Sequence, residues 1–203
     1  RRQLPGGLEA PQHQRAQQPS RWSLTSPHAC INAYAVVGPT NTKPFFFSPF
    51  DSAIDCIIVA TMTPDRPLPS TAAIVQTKLG AINAWGFDLS AACSGFIYAL
   101  VTATRLVESG AARCVLVCGA DKMSSVIDPR DRATAVLFGD GAGAVLVEPL
   151  PDKDVGVLEH VCHMDGAGGM ALYIPSGGSL EPASAESVAA RRHFVLQDGP
   201  AVY

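Results

Sequence analysis

A chain of 203 residues has room for one domain, or for one and part of another, and for a substantial apolar core. Hydrophobic residues make up 47% and charged residues 16%, which excludes disorder over most of the length and suits strands buried on both faces. A formal charge of −3, with no run of Lys or Arg after residue 50, argues against nucleic acid, and no stretch approaches the roughly 20 apolar residues of a membrane span.

Residues 1 to 50 differ from the rest: they are rich in Gln and Pro, with Glu9 as the one acidic residue against Arg1, Arg2, Arg15, Arg21 and Lys43. They are expected to be a disordered or aberrant leader. An acid-poor, Arg-containing leader also fits a plastid or mitochondrial transit peptide, although it lacks an initiating Met and a clear amphipathic period. From Asp51 the texture changes. Asp55 to Thr61 reads as a buried strand, turn residues follow, and Ser70 to Leu79 reads as a helix opened by Pro69 and ended by Gly80. Ala84 to Leu89 is a second strand. Cys93 to Ser109 then spaces Phe96, Ile97, Leu100, Val101, Thr104 and Val107 as one helix face, closed by Gly110. Arg113 to Gly119 and Ala142 to Glu148 complete the strands, with a charged loop from Asp121 to Arg132 between them. This alternation predicts an α/β fold with a mostly parallel sheet and crossover helices. Val155 to His163 is a further candidate strand, and Gly166 to Ser179 a Gly-rich loop.

Six cysteines, Cys30, Cys56, Cys93, Cys114, Cys118 and Cys162, form no C-x-x-C pair and meet no His-rich cluster, so no metal site, disulfide framework or cofactor is expected and a reducing, cytoplasmic compartment fits. Cys93 stands apart because it falls between a strand and a helix, flanked by the small residues Ala91, Ala92, Ser94 and Gly95. The first turn of a helix presents unpaired N–H groups and a positive dipole end, which favour a nucleophilic sulfur and can hold a thioester oxyanion. From position alone, a small buried packing residue fits Cys93 equally well. Cys56, Cys114 and Cys118 lie in strands, and the four-residue step places the last two on one face. Gly139 to Gly143 is not a dinucleotide loop, since it precedes a strand, and reads instead as a turn closely packed by other backbone. Nothing in spacing ties His163 or His193 to Cys93.

Read together, Thr61 to Gly80, Asp88-Leu-Ser-Ala-Ala-Cys-Ser-Gly-Phe96, Asp128-Pro-Arg-Asp-Arg132 and Phe138-Gly-Asp-Gly-Ala-Gly-Ala144 resemble the β-ketoacyl-acyl-carrier-protein synthase III family in order and approximate spacing. The likeness covers roughly residues 51 to 203 and is strongest from 51 to 149. It implies a thiolase-like fold of two α/β halves, with 51–165 as the nucleophile-bearing half and 166–203 as the opening of an incomplete second half. It further implies a homodimer that takes an acetyl or other acyl group from acyl-CoA onto Cys93 and condenses it with malonyl-acyl-carrier protein. Arg132 matches an Arg that stacks on the CoA adenine, or it is simply a loop charge. Leu68 matches a position that reaches across the dimer to limit the acyl pocket. Trp22 is not in the context of the family's early CoA-contact Trp, and the family's catalytic His and Asn belong to motifs that would lie beyond Tyr203. The alternatives are another acyl-CoA condensing enzyme of the thiolase superfamily, and a catalytically dead fragment or dimerisation module.

Overall fold

The computed structural model describes residues 28–32, 52–151 and 156–202. Its main sheet has five strands in the order β1-β5-β4-β2-β3: β1 His28–Asn32, β2 Cys56–Ala60, β3 Trp85–Leu89, β4 Val115–Lys122 and β5 Asp140–Leu150. The central strand β2 pairs in parallel with β3 on one side and with β4 on the other. All five residues of β2 are buried, which is the burial of a parallel strand covered on both faces.

Alternation along the strands sorts the core into two layers. Cys56, Ile58, Val115, Val117 and Val147 face helix α2, Gly95–Glu108, where they meet Ala99, Ala103 and Val107. Ile57, Val59, Cys114, Leu116 and Leu146 face α1, Thr71–Leu79, through Ala72 and its neighbours Val75 and Leu79. Cys114 and Cys118 do share a face, the one under α1. Helix α2 lies close because its buried stripe is made of small residues, Gly95, Ala99 and Ala103, one turn apart. The larger Ile97, expected on the inner face, is 48% exposed.

Helix α1 begins where the sequence places it. Ser70 Oγ accepts from the Ala73 N–H, and the Asp88 carboxylate at the end of β3 accepts from the N–H groups of Thr71 (2.6 Å) and Ala72 (2.8 Å). Those donors have no partner within the helix, and the negative charge suits its N-terminus. Gly80 closes α1 at φ 71, and Gly110, at φ 75, follows the end of α2. Both positions need the left-handed backbone that glycine adopts without steric cost.

Three expectations change. Strand β5 is antiparallel to β4 rather than parallel. No crossover helix separates them: residues 123–139 hold a single 3-10 turn and bends at one end of the sheet, so the chain returns directly beside β4. The glycines Gly141 and Gly143 belong to β5 itself, and a Cβ at either, or at Gly139, would meet nothing within 4 Å among the described residues, so close backbone packing is not their reason. Residues 156–163 form no strand. Within the segment read as a leader, β1 pairs antiparallel with β5 at the sheet edge; the rest of residues 1–50, Trp22 included, lies outside the described residues. A smaller sheet pairs β6, Leu172–Tyr173, with β7, Leu196–Gln197, and the short helices α3, Ala185–Ala189, and α4, Gly199–Val202, flank β7 in sequence.

Candidate active site

The carboxyl ends of β2 and β4 and the start of α2 enclose a cavity of about 390 Å³, and Cys93 is in its wall. Crevices at this end of parallel strands are where α/β folds bind ligands. Cys93 sits in a one-turn 3-10 segment, Ala92–Ser94, that feeds into α2, and it is exposed rather than packed away. The residue before it, Ala92, has φ 44, a left-handed conformation that an L side chain seldom adopts. The chain therefore bends sharply between β3 and α2 and lifts Cys93 out of the sheet. The exposure of Cys93 does not fit a buried packing residue.

Close approach holds the bend in place. A Cβ on Gly95 would stand 3.4 Å from the Ala60 Cβ, so the helix start rests on the end of β2. The next residue, Phe96, lies against β4, where a Cβ on Gly119 would stand 3.1 Å from the ring. Opposite, Asp121 Oδ1 gathers the exit of β2: it accepts from Met62 N–H (2.9 Å), Thr63 N–H (3.2 Å), Thr61 Oγ1 (3.2 Å) and Thr63 Oγ1 (2.9 Å). Asp121 lines the cavity, yet the sequence offered it only as the first residue of a charged loop. Met123, Phe138, Tyr173, Ile174 and Val195 supply apolar wall to the cavity.

Three of the other thiols are unsuited to attack. Burial raises Cys56 and Cys118 from an ordinary 9.0 to about 11. Cys114 is pushed up to about 12, by burial first and then by the carboxylates of Glu148 and Asp55. Cys162 is exposed, on an extended stretch and not in a strand.

The structure brings neither of the other two expected site residues to this cavity. Arg132 is exposed in the turns between β4 and β5, and Leu68 is 85% exposed on the loop between β2 and α1. The side chain of Leu68 therefore caps nothing among the described residues. The His163 carbonyl accepts from the Tyr98 hydroxyl at 2.9 Å, and the His193 ring lies tilted at 41° against Phe194 with ring centroids 4.0 Å apart. Neither lines the cavity. Among the described residues no cluster of His, Cys, Asp and Glu is arranged to hold a metal ion, and no helix is long and apolar enough to cross a membrane.

Residues 87–166, which contain the bend, the cysteine and the β4–β5 connection, match the family model described as 3-oxoacyl-[acyl-carrier-protein (ACP)] synthase III. The chain is 55% identical over 151 residues to a β-ketoacyl-[acyl-carrier-protein] synthase III of Koribacter versatilis, covering 74% of this chain and 45% of that relative. It is 59% identical to the protein of the same description in Chlorobium chlorochromatii, covering 74% and 46%. Among solved structures, 3-oxoacyl-(acyl carrier protein) synthase III of Pseudomonas aeruginosa superposes with TM-score 0.65 at 34% identity, over 76% of this chain and 48% of that one. The Thermus thermophilus structure gives 0.64 at 40% identity, over 76% and 46%. The chain thus spans about half the length of the curated relatives it matches.

Proposed function

We propose that this chain, which belongs to the β-ketoacyl-[acyl-carrier-protein] synthase III family and has its thiolase-like α/β fold, takes an acyl group from acyl-CoA onto Cys93 as the first step of fatty acid synthesis. The observation that carries this reading is the placement of Cys93: exposed, at a bend held by Ala92 at φ 44, and open to an apolar cavity large enough for an acyl chain. The Cys93 sulfur attacks the thioester carbonyl, the oxyanion collapses, and the CoA thiolate leaves. Of the amides at the bend, Ser94 N–H is committed to the Ala91 carbonyl and Gly95 N–H to that of Ala92. The amide of Cys93 itself is therefore the donor we assign to the oxyanion.

In the whole synthase the second step follows: malonyl-acyl-carrier protein loses CO2, its α-carbon attacks the acyl-Cys carbonyl, and the Cys93 thiolate leaves. Loading is the step that Cys93 and the amide at its bend can carry out with the groups described above. We read 51–165 as the nucleophile-bearing half and 166–203 as the opening of the second. Arg132, exposed and planar, is the residue we assign to the CoA adenine, and Leu68, projecting into solvent, the one we assign to a partner's acyl pocket in a homodimer. The outer edge of β3, unpaired among the described residues and with Trp85 51% exposed, supports a second copy at that side. A reducing cytoplasm would keep the reactive thiol free.

The test is acetyl transfer from labelled acetyl-CoA to the protein, followed by addition of malonyl-acyl-carrier protein. Label bound in a thioester and lost in Cys93→Ala is expected; acetyl transfer that survives the substitution removes the proposal. Sedimentation reporting a monomer that nonetheless loads would remove the dimer from it.

A further inference from the structure

Two stretches of chain far apart in sequence pack together in the wall of the Cys93 cavity. One is the connection between β4 and β5, which supplies Met123 and Phe138; the other runs from β6 to β7 and supplies Ile174 and Val195. We infer that the ion pair between Asp128 and Arg191 is a positioning device that fixes the spacing of these two stretches, and so sets how long an acyl group can reach Cys93. The second part of this inference rests on the loading reading above.

The pair is well made. Arg191 donates through Nε to Asp128 Oδ2 at 2.7 Å and through Nη2 to Oδ1, a two-point fork across 63 positions of sequence. It is the one ion pair joining the two stretches among the described residues. Both ends are braced. The Arg191 guanidinium carbon lies 4.7 Å from the centre of the Phe194 ring, and the Asp128 carboxylate also accepts from the Arg130 N–H at 2.9 Å. Arg191 stands at φ 60, a backbone conformation that its side chain does not favour and that the surrounding contacts must hold.

Beside the pair, two further contacts join the stretches. Close to the pair, Val195 N–H donates to the Val126 carbonyl at 2.9 Å, and Met123, Ile127 and Val195 form a small buried cluster with Phe138 and Ile174 at its margin. The sheet behind them has two residues per strand. Four of these cluster residues, Met123, Phe138, Ile174 and Val195, are cavity wall, so movement of one stretch against the other changes the cavity directly. The hydrogen bonds from Arg191, and then those from Arg130, hold the Asp128 carboxyl down at about 2. The fork is thus a constant strut over the ordinary pH range and not a switch.

The experiment compares wild type with Arg191→Ala, Arg191→Lys and Asp128→Asn. Cys93 alkylation is timed with N-methyl and N-octyl iodoacetamide, alongside loading from acetyl-CoA and octanoyl-CoA. The octyl-to-methyl rate ratio should shift by about fivefold in Arg191→Ala and in Asp128→Asn, no further in the double variant, and by less in Arg191→Lys, which keeps the charge without the fork. The methyl rate should stay put. Loading should shift in half-saturation for octanoyl-CoA and not in the maximal rate with acetyl-CoA. A ratio that stays constant while both reagents change together is what a purely structural pair gives, and it overturns the inference. Asp128→Asn preserves shape, so the test survives if Arg191→Ala does not fold. If the ratio shifts but wild type loads no acyl group, the strut stands and the loading reading falls; if loading occurs and the ratio is fixed, the reverse holds.

Discussion

The three shielded thiols make alkaline stability a sensitive probe of the core. In the unfolded chain each ionises near 9.0, whereas in the folded chain Cys56 and Cys118 stay protonated to about 11 and Cys114 to about 12. Above pH 9 the unfolded state has therefore released protons that the folded state keeps, and stability falls as pH rises. Each unit of difference is worth about 1.4 kcal/mol, so the three together lower stability by about 4 kcal/mol per pH unit between their unfolded and folded values. By about pH 11 the loss is roughly 7 kcal/mol, comparable with the whole stability of a typical domain, about 5–15 kcal/mol. Urea unfolding followed by circular dichroism from about pH 8 to 11 should show this slope. Replacing Cys56, Cys114 and Cys118 with Ala should flatten it, whatever the variant's stability at neutral pH, because Lys and Tyr titrate alike in both proteins. A wild type whose stability is flat above pH 9, or an equal slope in the triple variant, would refute the reasoning.

Iodoacetamide at about pH 8 should modify Cys93 and Cys162 promptly and leave Cys56, Cys114 and Cys118 slower by about 100-fold or more, since burial suppresses their thiolates by that factor. Peptide mapping with Cys114 labelled ahead of Cys93 would contradict it. Arg132→Ala should weaken acetyl-CoA binding by about 1 kcal/mol, with Arg132→Lys recovering little; unchanged calorimetric affinity in the Ala variant would withdraw Arg132 from the CoA site. Gly119→Ala should press on Phe96, because the new Cβ lies 3.1 Å from the ring, and so alter the acyl chain lengths accepted at Cys93. In the dimer Leu68→Ala should widen that range and Leu68→Phe narrow it. Acyl preferences matching wild type in either set of variants would count against the residue concerned.

The sequence makes the centre of this molecule legible and its periphery much less so. β2 and the first half of β4 announce themselves as apolar runs, and Ser70, Gly80 and Gly110 mark helix ends through chemistry confined to a few neighbouring residues. Cys93 is legible for the same reason: small residues between a strand and a helix mean a tight bend. The direction of β5 is not written in its own residues, because an apolar run reads alike either way; only the lack of a helix between β4 and β5 decides it. The cavity wall from residues 172 to 195 escapes notice because two-residue strands carry no period. Asp128 and Arg191 meet across 63 residues, and no local pattern links them. Small alanines take the inner face of α2 that Ile97 was expected to fill, since apolar spacing says which positions are buried only when size is weighed as well.

The central claim is that Cys93 accepts the acyl group, and peptide mass spectrometry after brief incubation with acetyl-CoA tests it most directly. A single acetyl group, released by neutral hydroxylamine as a thioester would be, should map to the peptide carrying Cys93 and disappear in Cys93→Ala, while Cys162, equally exposed, stays unmodified. Acetyl found on Cys162 or another thiol, or none on Cys93 in a folded protein that binds CoA, would contradict the account.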